Sequence, residues 1–148
     1  KPEEEITIEW TSDHDVLYSL LCIAFFADQE IDESEKGVIY ESFGDLVSNV
    51  TEDSFNDDFG LATKKFVDLE KEESRQKYFQ ESLLNIKDSS SDNSDQLMKM
   101  LNAFINIANA DEFIHDNEIM LIQQAIDTWE LKLEINKPKS SEKLKIVD

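Results

Sequence analysis

Only one cysteine, two prolines and three glycines occur among the 148 residues. A single thiol, Cys22, excludes an intramolecular disulfide. Its neighbours in Leu20-Leu21-Cys22-Ile23-Ala24 are apolar, which predicts a small buried side chain and not a reactive thiolate. Both prolines (Pro2 and Pro138) lie near the termini. A chain this short of glycine and of interior proline lacks the usual tight-turn residues of an all-β fold, so helices are expected. No uninterrupted apolar run could span a bilayer, and no charged n-region followed by an h-region opens the chain. A cytoplasmic protein without direct membrane insertion is therefore expected. Basic residues are also scarce: 14 Lys and Arg stand against 34 Asp and Glu, a formal charge of −20. Such a field repels nucleic acid and anionic lipid, because phosphate is bound by neutralising it with cations. Metal cations and basic protein surfaces are the compatible partners, although solubility alone accounts for the charge equally well.

What is present is a succession of amphipathic helices, read as one domain with a core of its own. Residues 1–12 form an acidic N-terminal arm in which Ile6, Ile8 and Trp10 alternate. A helix follows the capping types Thr11, Ser12 and Asp13. Its apolar residues Leu17, Leu20, Leu21, Ala24 and Ala27 keep helical spacing, and Phe25 and Phe26 widen the face, which predicts a central helix. Val38, Ile39, Phe43, Leu46 and Val47 mark the next. Thr51 reads as a cap before Phe55, Phe59, Ala62, Phe66 and Leu69, whose steps of four, three, four and three give a clear amphipathic stripe. A further helix starts near Glu72, with Phe79, Leu83 and Ile86 inward and Tyr78 at its border. The Ser/Asp-rich stretch 87–95 is expected to be a mobile loop. Leu97, Leu101, Phe104 and Ala108, then Ile119, Ile122, Ile126 and Trp129, define the last two stripes. Five of the basic residues fall in 132–148, where apolar spacing decays, and a frayed C-terminal tail is expected.

Two stretches stand out because they repeat. Ala27-Asp28-Gln29-Glu30-Ile31-Asp32-Glu33-Ser34-Glu35 joins two apolar helical runs, and Ala110-Asp111-Glu112-Phe113-Ile114-His115-Asp116-Asn117-Glu118 does the same later. A constant shift superimposes Ala27 on Ala110, Asp28 on Asp111, Ile31 on Ile114 and Glu35 on Glu118 without a gap. Apolar positions match as well, Leu21 with Phe104 and Ile39 with Ile122. The expected fold is all-α: a compact bundle of about six to seven helices, built from two pseudo-symmetric helix-turn-helix units at about 17–46 and 100–129 within a domain at 13–131.

An apolar helix ending in Ala-x-Ala-Asp, then Ile, then Glu opening the next helix, occurring twice, resembles the tellurite-resistance TerB-like family. The second unit fits best, as Ala108-Asn109-Ala110-Asp111-Glu112-Phe113-Ile114 with Glu118. The first has Phe25 in place of the earlier alanine, and Gln29 and Glu112 replace the glycine usual after the aspartate. The resemblance implies a bundle of about seven helices, occurrence in bacterial stress systems beside membrane and calcium-binding partners, no established enzymatic activity, and acidic motif residues suspected of binding metal. A related domain is fused to membrane-bound J-domain co-chaperones; the chain contains no His-Pro-Asp triplet and is not itself a J-domain.

For chemistry, the carboxylates come first. Asp28, Asp32 and Glu35 share one turn, and Asp111, Asp116 and Glu118 share the other. Oxygen-rich clusters suit hard cations such as Ca²⁺ or Mg²⁺, and convergence of the two turns would let both contribute to one ion. The competing reading is structural, since Asp32 with Glu35 forms a capping box at a helix start and needs no metal. An EF-hand is excluded: counted from Asp28, position six is Glu33 and position twelve is Ile39, and counting from Asp88 or Asp111 puts Lys99 or Ile122 at twelve. The only imidazoles are His14 and His115, and the latter stands at the helix-start position that Asp32 holds in the first unit. No phosphate-binding glycine loop, nucleophile elbow or His–Cys pairing occurs. The residues offer no catalytic arrangement, and the resemblance implies a non-enzymatic stress-response interaction module whose acidic surface docks basic or membrane-associated stress-response proteins. A dedicated metal-ion binding or sensing protein is the alternative, and a metal-dependent hydrolase a weaker one.

Overall fold

The computed structural model describes residues 9–26, 36–90, 94–110, 116–136 and 143–147. Six helices and one small sheet account for nearly all of them: α1 (Ser12–Phe25), α2 (Lys36–Leu46), α3 (Glu52–Asp68), α4 (Glu72–Ser90), α5 (Ser94–Asn109), α6 (Asp116–Thr128), β1 (Glu134–Ile135) and β2 (Ile146–Val147). The all-α expectation holds. Among the described residues no helix is long and apolar enough to cross a membrane.

Helix α1 is the axis of the fold. Leu17, Tyr18, Ser19, Leu20, Leu21, Cys22, Ile23 and Phe25 are all buried, so no side of its middle faces water, and α2 to α6 each pack against it. A helix apolar all round is buried on every side, and its five neighbours bury it. The remaining helices carry single stripes. In α3, Phe55, Phe59, Ala62 and Phe66 are buried while the other positions are partly or fully exposed. Thr51 caps α3 as its spacing predicts: the Ser54 N–H donates to Thr51 Oγ1 at 3.1 Å, and Ser54 Oγ accepts from the Thr51 N–H at 3.0 Å. In α5 and α6 the predicted stripe residues Leu101, Phe104, Ala108, Ile122 and Ile126 are buried, as is Trp129 just past α6.

The directions of the helices follow from their contacts. Tyr18 Oη donates to the Arg75 carbonyl at 3.2 Å, whereas Asp15, earlier in α1, accepts from Ser82 Oγ at 3.1 Å, later in α4. Helices α1 and α4 are therefore antiparallel. Gln76 bonds to Gln124 at 3.1 Å, and Trp129 Nε1, just past α6, donates to the Leu83 carbonyl at 2.9 Å, so α4 and α6 run parallel. Gln96, at the start of α5, donates to the Leu46 carbonyl at the end of α2 at 3.3 Å. Ser42 and Asn106 line one groove between the same two helices, which makes that pair antiparallel.

Two expectations need correction. The Ser/Asp-rich stretch is not a loop from its start, because α4 continues to Ser90 and α5 begins at Ser94; 91–93 lie outside the described residues. Ile86 is buried, Ser89 Oγ returns a hydrogen bond to the Ile86 carbonyl at 3.1 Å, and Lys87 Nζ reaches Glu130 at 2.8 Å. A helix already nucleated and anchored extends through polar residues at little cost. Nor is the tail frayed where it is described. Glu134 pairs with Val147 and Ile135 with Ile146 in an antiparallel ladder, and Leu144 is 1% exposed. The Asn109 side chain imitates a strand here: its Nδ2 donates to the Leu144 carbonyl and its Oδ1 accepts the Leu144 N–H, both at 2.8 Å.

The C-terminus of α6 supplies a stop that glycine usually provides. Glu130 adopts φ 55°, the Leu131 N–H bonds the Ile126 carbonyl at 3.0 Å and the Glu130 N–H bonds the Asp127 carbonyl at 3.2 Å. This is a Schellman closure, which turns the chain back toward β1.

Candidate functional site

The helix directions bring five helix ends together. Phe26 closes α1, and antiparallel α4 begins beside it. Helix α6, parallel to α4, therefore starts with Asp116 at that same end. Ala110 follows α5 and is only six positions before Asp116, a short reach for any backbone. Since α2 is antiparallel to α5, its start at Lys36 lies there too. Phe26, Lys36, Ala110 and Asp116, the described residues that flank 27–35 and 111–115, thus lie at one end of the bundle.

Of the six carboxylates expected to form the site, Asp28, Asp32, Glu35 and Asp111 lie outside the described residues. Asp116 is the first residue of α6 and is exposed, while Glu118 in the first turn is 5% exposed. Burial of a carboxylate in a helix's first turn is compensated in part by the positive end of the helix dipole. The structure therefore assigns Asp116 and Glu118 different surroundings within one turn. Among the described residues no group of three His, Cys, Asp or Glu is placed to hold a metal ion.

Arg75 organises this end, and sequence reasoning missed it. It occupies the first turn of α4 and is 2% exposed. Its Nε donates to the carbonyls of Leu69 at 2.7 Å and Phe66 at 3.2 Å, and its Nη1 donates to the Phe26 carbonyl at 2.9 Å. The guanidinium also stacks on the Phe66 ring, 3.9 Å from its centroid. These acceptors are the last carbonyls of α3 and α1, the groups that helix ends leave unsatisfied and that carry the negative end of each dipole. One planar cation thereby ties two helix C-termini to a helix N-terminus at the point where the first acidic turn departs. Arg suits the task because its fork satisfies several acceptors while remaining charged.

A second polar cluster lies at the opposite end, also unforeseen. His14 Nδ1 accepts the Thr11 N–H at 2.8 Å, and His14 Nε2 meets Asp58 Oδ1 at 2.9 Å. A nitrogen that accepts a backbone N–H carries no proton, so the tautomer is the one with hydrogen on Nε2, donated to Asp58. Histidine here does the work of the glutamate in a capping box. Asp15, 3% exposed, accepts from Trp10 Nε1 at 3.0 Å, Ser82 Oγ at 3.1 Å and Asn85 Nδ2 at 3.3 Å. Burial raises its carboxyl above the usual value, and those three bonds oppose the rise. The cluster joins α1, α3 and α4. Its members are absorbed by hydrogen bonding within the fold, and Trp10 packs edge-on to Tyr78, with centroids 5.8 Å apart. The only sequence signal was a run of polar residues ahead of an apolar helix. Burial likewise pushes the Cys22 thiol far up, in keeping with a core residue, and lifts Tyr78 to about 12.

An all-α bundle in which a buried arginine ties the ends of α1 and α3 to the start of α4 defines a helical module. A family model described as tellurite resistance protein TerB matches residues 14–134. The chain belongs to the TerB family. No curated protein and no solved structure matches it.

Proposed function

We propose that this chain is a non-enzymatic TerB module of a stress-response system, which works by protein contact and holds a divalent cation at the end of the bundle where its acidic turns meet. The observation that carries this reading is the gathering of four helix ends, those of α1, α2, α5 and α6, at a single end. Carboxylates crowded there would repel one another unless a cation or protonation relieved them. Asp28, Glu35, Asp111 and Glu118 are the ligands proposed, with Asp32 and Asp116 at the helix starts as outer members. All-oxygen donors of this kind favour Ca²⁺ or Mg²⁺ over softer metals. The capping roles that the sequence leads one to expect of Asp32 and Glu35 are compatible with it, because a helix start can hold a carboxylate oriented for a metal. The wider acidic surface would dock a basic partner or a membrane-associated stress-response protein in the cytoplasm, its field chiefly accelerating encounter.

Titration with Ca²⁺ and with Mg²⁺, followed by calorimetry and thermal unfolding, tests the site. Saturable binding that raises the unfolding temperature, and that Asp111→Asn with Glu118→Gln abolishes, is the expected result; an ion at one hundred times its Kd adds about 2.7 kcal/mol of stability. An absence of saturable change at millimolar ion would remove the metal site and leave only the interaction module. Strong binding with no effect of a basic partner would favour the dedicated ion sensor instead.

A further inference from the structure

We propose that the trough between α2 and the start of α3 docks a basic amphipathic helix of a partner protein. This rests on the interaction-module reading above and gives it a surface. Gly37 and Gly44 are seven residues apart on α2, hence about 20° apart around its axis. Both are exposed, and a Cβ built on either would meet nothing within 4 Å. Glycine weakens a helix interior, and among the described residues no contact explains either one. Two grooves open beside them: one of ≈ 470 Å³ lined by Gly37, Tyr40 and Phe55, and one of ≈ 520 Å³ lined by Tyr40, Gly44 and Val47. Tyr40 belongs to both grooves, and its ring rests on Phe55, centroids 4.8 Å apart, which fixes the apolar wall between them. A bare helix backbone lets a second helix approach toward the short end of the usual interaxial range.

The rim selects the occupant. Glu41, Asp45 and Glu52 stand exposed around the trough. Lys36, the one lysine among the described residues of its lining, sits 5.1 Å over the Phe59 ring. A helix that brings Leu-type side chains to Tyr40 and Phe55 and Lys or Arg to the rim is complementary in both respects. A second copy of this chain would set acidic rim against acidic rim under a charge of −20 on each molecule, and an anionic lipid surface would be repelled for the same reason.

The test uses the full chain and a synthetic helical peptide of leucine and lysine in heptad spacing, with its glutamate-for-lysine counterpart as control. Binding is followed by fluorescence anisotropy and by amide shifts in NMR. The expected result is saturable binding of the basic peptide alone, with the largest shifts at Gly37, Gly44 and Tyr40. Gly44→Leu should occlude the trough and weaken binding on the order of tenfold without lowering the melting temperature, and Glu41→Lys with Asp45→Lys should do so through charge. Basic-peptide binding that is spread over the surface and indifferent to all of these variants overturns the trough while sparing the acidic-interaction reading. No binding of the basic peptide at all overturns both. A concentration-dependent dimer lost in Gly44→Leu would show that a second copy is the occupant, and would equally overturn the proposal.

Discussion

Replacing Arg75 tests whether one buried cation holds the ends of α1 and α3 to the start of α4. In Arg75→Met the side-chain volume and the contact with Phe66 are largely kept, but the donors to Phe26, Phe66 and Leu69 disappear. Each bond from a charged donor contributes roughly 1.5–3 kcal/mol, and the carbonyls left behind are buried in a place methionine cannot satisfy. The three do not add fully, because the helix ends can relax and water can enter once the guanidinium is gone. The expected loss is about 3–5 kcal/mol, less than three such bonds would sum to. At roughly 3 °C per kcal/mol for a domain of this size, the melting temperature should fall by about 10–15 °C. Arg75→Lys keeps the charge and one strong donor, so it should recover about half of the loss. Urea unfolding followed by circular dichroism gives both values, with Lys64→Met as a surface control for removal of a positive charge. The Lys64–Asp68 pair at 3.0 Å is exposed on both sides, so that control should change stability by less than about 0.5 kcal/mol. A loss below about 1 kcal/mol in Arg75→Met, or equal losses for Met and Lys, would refute the assignment.

Other expectations concern the opposite end, the tail and the thiol. The Asp15 carboxyl is raised by burial, so the folded state binds its proton more tightly than the unfolded chain, whose value is near 4. Stability should then decline as pH rises from about 4 through that raised value, and the difference in melting temperature between wild type and Asp15→Asn should carry this slope; a difference that does not vary with pH would contradict it. Asn109→Ala breaks both bonds to Leu144 and should cost about 1–3 kcal/mol, with hydrogen exchange accelerated first at Leu144 and Ile146. Faster exchange elsewhere alone would show that the tether is not local. Cys22, fully enclosed and with its thiol proton held tightly, should react with an aromatic disulfide reagent only at the rate of unfolding; rapid native labelling would contradict its place in the core.

How much of this was legible beforehand depends on the range of the interactions. The stripes of α3, α5 and α6 were readable because a 3.6-residue period is a local property, and Thr51 as a cap because its partner is three residues away. The buried centre of α1 was readable too, since Phe25 and Phe26 widen an already apolar face. Arg75 was not. In its own helix it looks like a solvated first-turn residue, and its acceptors are carbonyls as far off as Phe26, brought close only by the packing. Asp15 and His14 escaped for the same reason, their partners being Ser82, Asn85 and Asp58. Leu144 sits in a basic, weakly patterned stretch, and nothing local announces that Asn109 will bind it as a strand would. The low-complexity composition at 87–90 misled in the other direction, because a tertiary anchor at Ile86 and Lys87 carries the helix past the point where propensity alone would end it. As for the candidate site, the internal repeat singled out 27–35 and 111–115, whereas the common end at which their flanking residues Phe26, Lys36, Ala110 and Asp116 lie required the helix directions.

The central claim is that the two acidic turns share one cation, and Mn²⁺ used as a paramagnetic stand-in measures this most directly. At less than one equivalent of Mn²⁺, amide resonances of Phe26, Lys36, Ala110 and Asp116 should broaden together, with Arg75 close behind, and added Mg²⁺ or Ca²⁺ should restore all of them in parallel. Broadening at one turn without the other, or broadening distributed over exposed carboxylates such as Glu52, Asp57 and Glu81, would contradict a shared site.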